Sequence, residues 1–87
     1  MKLLILYKQN TPDDRAIAYL QRQLTENRIP LTMIDADSRD GAAYTELYDA
    51  NDRPAVLIVD DQGRLAQKWQ GSLPSLSDIT GVYGVAP

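Results

Sequence analysis

The chain contains no cysteine and no histidine. Without cysteine there is no disulfide framework, no thiolate nucleophile and no thiol redox chemistry. Without histidine there is no imidazole base and no histidine-containing metal site. Ser-His-Asp and Cys-His catalysis are excluded with them. No apolar run approaches the roughly 20 residues of a membrane span. Positive charge is scarce as well: 9 Lys and Arg against 12 Asp and Glu leave a net charge of −3. That balance opposes non-specific nucleic-acid binding, which needs a basic patch to neutralise phosphates. Residues 1–7 are apolar, but too few and too soon followed by polar residues to form a signal peptide. A cytoplasmic location fits these absences.

What is present suits a single folded domain over residues 1–87. The 87 residues leave room for one core, and 44% hydrophobic with 24% charged residues is ordinary for a globular chain. Lys2–Tyr7 (KLLILY) is a nearly continuous apolar run and reads as a buried strand. A helix start follows, with Thr11 as N-cap, Pro12 at the first helical position, and Asp13 and Asp14 in the first turn. This helix is expected to run to about residue 27, with Ile17, Leu20 and Leu24 as its apolar stripe and Ala16 beside them.

Leu31–Asp35 (LTMID) reads as a second strand and residues 37–41 as a polar turn. A second helix is expected over residues 42–50, with Ala43, Leu47, Ala50 and one of Tyr44 or Tyr48 facing inward. Ala55–Val59 (AVLIV) is a third buried strand. Asp60, Asp61, Gln62 and Gly63 signal a hairpin turn into a fourth strand over residues 64–69. A short last helix is expected over residues 74–79, with Ser72 or Ser75 near its start. Residues 80–87 read as a frayed tail.

The order is therefore β-α-β-α-β-β-α. A helix in the first crossover makes strands one and two parallel, while strands three and four form an antiparallel hairpin. The expected architecture is α/β, with a four-stranded mixed sheet and helices on both faces.

This order, with Pro54 just ahead of strand three, resembles the thioredoxin fold in its short glutaredoxin form. Tyr7, Lys8, Gln9 and Asn10 resemble the end of strand one in the NrdH-redoxin branch. In that branch the redox C-x-x-C follows one residue later, where this chain has Pro12, Asp13, Asp14 and Arg15. Arg53 and Pro54 resemble the dipeptide that carries the fold's cis-proline. Residues 69–74 (WQGSLP) resemble the W-S-G-F-R-P stretch of the same branch. The resemblance covers nearly the whole chain and implies the fold, but the missing cysteines remove the family's disulfide reductase activity. A second, local resemblance links Asn10, Thr11, Pro12, Arg15 and Ala16 to the first helix of KaiB, a thioredoxin-like clock protein that acts by binding proteins.

In a redoxin the thiolate is stabilised by the N-terminus of the first helix. Here Thr11 and Asp14 have capping-box spacing, and Asp13 and Asp14 put carboxylates where an external anion would bind. A structural cap outweighs a catalytic role at this position. The backbone beside the family's cis-proline pairs with an extended substrate segment, and such strand addition requires no cysteine. The resemblance thus implies a binding face made of Lys8, Asn10, Thr11, Pro12, Asp13, Arg53, Pro54, Gly71 and Ser72. Arg53 is a candidate contact for a carboxylate-bearing partner and competes with a plain solvated loop charge. Lys8 matches a basic position that helps bind glutathione in the family, yet without a thiol acceptor no cofactor is expected.

Asp35, Asp37, Asp40 and Glu46 approach EF-hand spacing. Arg39 stands where a ligand is needed and Gly41 comes one residue late, so no metal is expected. Ser38 or Asp40 caps a helix there instead. Trp69 is read as packed, not as an exposed anchor. These readings converge on a redox-inactive, non-catalytic module that binds a protein or an extended peptide, and neither nucleic acid nor membrane. The alternatives are a KaiB-like regulatory interaction protein, a non-thiol enzyme using Asp13 or Asp14, and a structural subunit.

Overall fold

The computed structural model describes residues 1–8 and 11–83. Its elements are β1 (Lys2–Tyr7), α1 (Asp14–Glu26), β2 (Leu31–Asp35), α2 (Arg39–Tyr48), β3 (Ala55–Val59), β4 (Leu65–Gln70) and α3 (Leu76–Tyr83). The strands form one four-stranded sheet in the order β2-β1-β3-β4. β1 and β2 are parallel, and the β1–β3 and β3–β4 pairs are antiparallel.

The alternation of β1 divides the core. Leu3 and Ile5 join Val56 and Ile58 of β3 on one face, against Ile17, Leu20 and Leu24 of α1 and Ile79 of α3. Leu4 and Leu6 join Ala55, Leu57 and Val59 on the other face, against Ile34 and Ala50, with Tyr44 and Tyr48 of α2 packed over them. β3 is buried along its whole length, which explains its unbroken apolar run. Each fully buried Leu or Ile contributes on the order of 1.5–3 kcal/mol.

The first helix begins later than Thr11. Residues 11–13 form a turn, and the Asp14 N–H donates to the Thr11 carbonyl at 3.2 Å. Asp13 takes the N-cap position in a helical conformation, without a side-chain cap bond. The capping box is formed by half: the Asp14 carboxylate accepts from the Thr11 N–H at 3.5 Å and from its hydroxyl at 3.4 Å. With its hydroxyl donating and its carbonyl already engaged, Thr11 acts as a turn residue. Ala16 is exposed, one position off the stripe of Ile17, Leu20 and Leu24.

The second helix starts three residues earlier than residue 42 and is rotated from the expected phase. Ser38 is its N-cap, accepting from the Gly41 N–H at 3.0 Å while its own hydroxyl donates to the Asp35 carbonyl at 2.6 Å. A Cβ on Gly41 would lie 2.2 Å from the Asp35 carbonyl oxygen and 2.8 Å from the Ala36 Cα. This close approach fixes the inward face at Gly41, Thr45 and Tyr48, one helical stripe, with Tyr44 beside it. Ala43 and Leu47 are therefore turned to solvent, Leu47 being 68% exposed. Ala50 is buried as expected, but lies beyond the helix end.

The last helix also differs, running to Tyr83 instead of residue 79. Ser75 and Asp78 form a full capping box, with both reciprocal bonds at 3.1 Å. Leu76, Ile79 and Val82 then present one stripe to the core, which carries the helix through Gly81. Residues 80–83 of the expected tail are thus helical, and residues 84–87 lie outside the described residues. β4 starts at Leu65 because Arg64 closes the hairpin turn, where the Asp60 N–H donates to its carbonyl at 2.9 Å.

Candidate functional site

Register brings four strand termini to one end of the sheet. Leu6 pairs with Ala55, Ala55 with Gln70, and Tyr7 with Asp35. Lys8, the Arg53–Pro54 dipeptide and Gly71 extend these strands, so they share that end. The chain enters α1 from the same end, which places Thr11, Pro12 and Asp13 there.

Pro54 is buried and its peptide bond to Arg53 is cis. Its carbonyl accepts from the Gly71 N–H at 3.1 Å, and Gly71 takes a φ of 83°, open to glycine without strain. The backbone N–H and carbonyl of Arg53 make no hydrogen bond among the described residues. Lys8 is exposed, and its carbonyl accepts from the Thr11 hydroxyl at 3.4 Å. Pro12, Asp13 and Ser72 are exposed. The structure thus joins Pro54 to Gly71 and Lys8 to Thr11, with no hydrogen bond between the two pairs among the described residues. Asn10 lies outside the described residues.

The Arg53 side chain is not extended toward solvent. Its Nη2 donates to the Thr45 hydroxyl at 2.6 Å and its Nη1 donates to the Ala50 carbonyl. Its Nε is buried and has no partner among the described residues. Lys68 reaches the same region from β4, donating to the Tyr48 carbonyl at 3.3 Å and the Asp49 carbonyl at 3.1 Å. α2 has no basic residue in its own last turn. Two cations from other elements supply what its C-terminal carbonyls and dipole call for. Arg53 is therefore held against α2 and is not the plain solvated loop charge that the sequence offered as the alternative to a carboxylate contact.

Beside Arg53 lies an open cavity of about 420 Å³, lined by Thr45, Glu46, Asp49, Asn51 and Arg53 together with Ala36 and Ala42. Sequence reading missed this cavity. Its one visible signal was the alternation of polar Asp49, Asn51 and Arg53 ahead of Pro54. Trp69 is half-buried at the end of β4, packed against the α1 side of the core as read from sequence.

Charge is distributed unevenly. Both ion pairs among the described residues lie at the far end of the sheet, Met1 with Asp61 and Arg64 with Asp60, each at 3.1 Å. The Arg64 and Gln62 N–H groups and the Arg64 guanidinium hold the Asp60 carboxyl below its ordinary value of 3.8, the Arg64 N–H being the largest cause. No group of three or more Asp or Glu residues among the described residues is placed to hold a metal ion. No helix among them is long and apolar enough to cross a membrane.

The element order, the sheet order and the proline ahead of β3 define a thioredoxin-like fold. The structure is similar to that of thioredoxin 1 from the thermophilic eubacterium Thermosipho africanus TCF52B, with a TM-score of 0.70 and 16% sequence identity over 97% of this chain and 91% of that one. No family model and no curated protein matches the sequence. The chain is a thioredoxin-fold protein without cysteine, and it has no group that could perform thiol–disulfide exchange.

Proposed function

We propose that this protein is a redox-inactive binding module that takes up an extended peptide segment as an added strand at Arg53–Pro54. One observation carries the reading. The backbone N–H and carbonyl of Arg53 find no partner among the described residues at this end of the sheet, while the adjoining Pro54 carbonyl is held by Gly71. Unpaired backbone groups beside a formed ladder are the donors and acceptors that strand addition uses. Thr11, Pro12 and Asp13 border the site, and the exposed Lys8 and Ser72 lie at its margin.

Selection of short random peptides on the immobilised protein tests this. Selected peptides are added to ¹⁵N-labelled protein and mapped by amide shifts and hydrogen exchange. The expected result is slowed exchange of the Arg53 amide and loss of binding when the paired peptide nitrogen is methylated. Peptides that shift only amides elsewhere, or a selection that yields none, would overturn the proposal.

A further inference from the structure

The surroundings of Arg53 bear on which peptide is taken, an inference that rests on the docking reading above. An added strand directs successive side chains to opposite faces of the sheet. On the α1 side, a side chain next to Arg53 meets the half-buried rings of Tyr7 and Trp69 at the ends of β1 and β4. On the α2 side it meets the 420 Å³ cavity. The two faces differ in chemistry, one aromatic and one polar.

Charge decides what suits the polar side. Glu46 is exposed and makes no hydrogen bond or ion pair among the described residues. Among the described residues the Asp49 carboxylate accepts only from the Asn51 amide, at 2.8 Å. The cation lining the cavity, Arg53, donates through Nη2 to Thr45 and through Nη1 to Ala50, and its Nε is buried. Asp13, Asp52 and Asp37 are exposed on the loops of the same sheet end and have no ion pair among the described residues. Lys68 is engaged by the Tyr48 and Asp49 carbonyls, and Lys8 is exposed at the same sheet end. Glu46 and Asp49 nevertheless have no ion pair among the described residues, so a cationic head at the cavity finds two carboxylates without a counter-ion.

We infer that the docked segment is basic, with a lysine or arginine side chain between Glu46 and Asp49 and an apolar neighbour on the Tyr7–Trp69 side.

The test compares selected peptides with analogues in which each basic residue becomes glutamine or glutamate. Affinity is read by fluorescence anisotropy and position by the Arg53 amide. The basic peptide is expected to bind about fivefold tighter than its glutamine analogue, the gain of two partly exposed charge pairs. That advantage shrinks as salt is raised. A Glu46→Gln/Asp49→Asn variant should abolish the advantage of the basic peptide over its glutamine analogue. Both changes are nearly isosteric, and asparagine accepts the left-handed conformation of Asp49. Peptides that dock at Arg53 with no basic preference would overturn the inference and leave strand addition standing. A preference that survives in the double variant would also overturn it. Failure of every peptide to protect the Arg53 amide would overturn both readings.

Discussion

The Arg53 Nη2 donates to the Thr45 hydroxyl at 2.6 Å, and that hydroxyl in turn donates to the Gly41 carbonyl at 2.7 Å. The relay ties the residue ahead of the site proline to two successive turns of α2. A charged donor to a neutral acceptor is worth about 1.5–3 kcal/mol. Arg53→Met should lower stability by about 2 kcal/mol. A double-mutant cycle with Thr45→Val, measured by urea denaturation, should show that the two losses do not add. Additive losses would mean that the contact carries no coupling energy.

Gly41 and Gly81 are both helical and should respond oppositely to alanine. At Gly41 a Cβ meets the backbone of Asp35 and Ala36, which cannot give way as a flexible side chain would. Gly41→Ala should cost about 3 kcal/mol. At Gly81 no atom of the described residues lies within 4 Å of the added carbon. Gly81→Ala should stabilise by roughly 0.5–1 kcal/mol. Thermal unfolding of the two variants checks both signs.

α1 ends in a Schellman arrangement built on a non-glycine residue. The Ile29 N–H donates to the Leu24 carbonyl at 2.9 Å and the Arg28 N–H to the Thr25 carbonyl at 3.1 Å, with Arg28 at a φ of 58°. A side chain in this conformation costs about 1–2 kcal/mol. Arg28→Gly should therefore raise the denaturation midpoint. An unchanged or lowered midpoint would show that the arginine stem compensates for the strain.

The two capping motifs predict unequal losses. Ser75 both accepts from Asp78 and has its own N–H satisfied, so Ser75→Ala should cost about 1 kcal/mol. The Thr11 hydroxyl does not accept from the helix, and Thr11→Ala should cost only about 0.5 kcal/mol. Equal losses in urea titrations would contradict this difference.

Asp60 sets a pH dependence. Its carboxyl titrates below 3.8 in the folded chain because the turn N–H groups and Arg64 favour the charged form. Its stabilising contribution is thus fully present above the unfolded value and is lost as pH falls through the lowered folded value. Carboxyl ¹³C titration should place Asp60 below the ordinary aspartate range. Asp60→Asn should flatten the acid limb of the stability profile. An ordinary Asp60 titration would contradict the hairpin geometry.

Local signals were enough for the strands and for the element order. Apolar runs and the Asp60–Gly63 turn are set by neighbours in the chain, so β1 and β3 could be read directly from residue types. The absence of cysteine alone settled that no thiol chemistry occurs here. Helix phase was not legible. The face that α2 turns inward depends on Gly41 approaching the end of β2, a contact between elements that no periodicity encodes. The last turns of α3 were hidden for the same reason, because Val82 packs against a core assembled from distant segments. Arg53 read as a carboxylate contact or a solvated loop charge, and only the folded chain turns its side chain onto the C-terminus of α2. Its backbone finds no partner among the described residues because strand register, not residue type, decides which N–H and C=O groups find a neighbour.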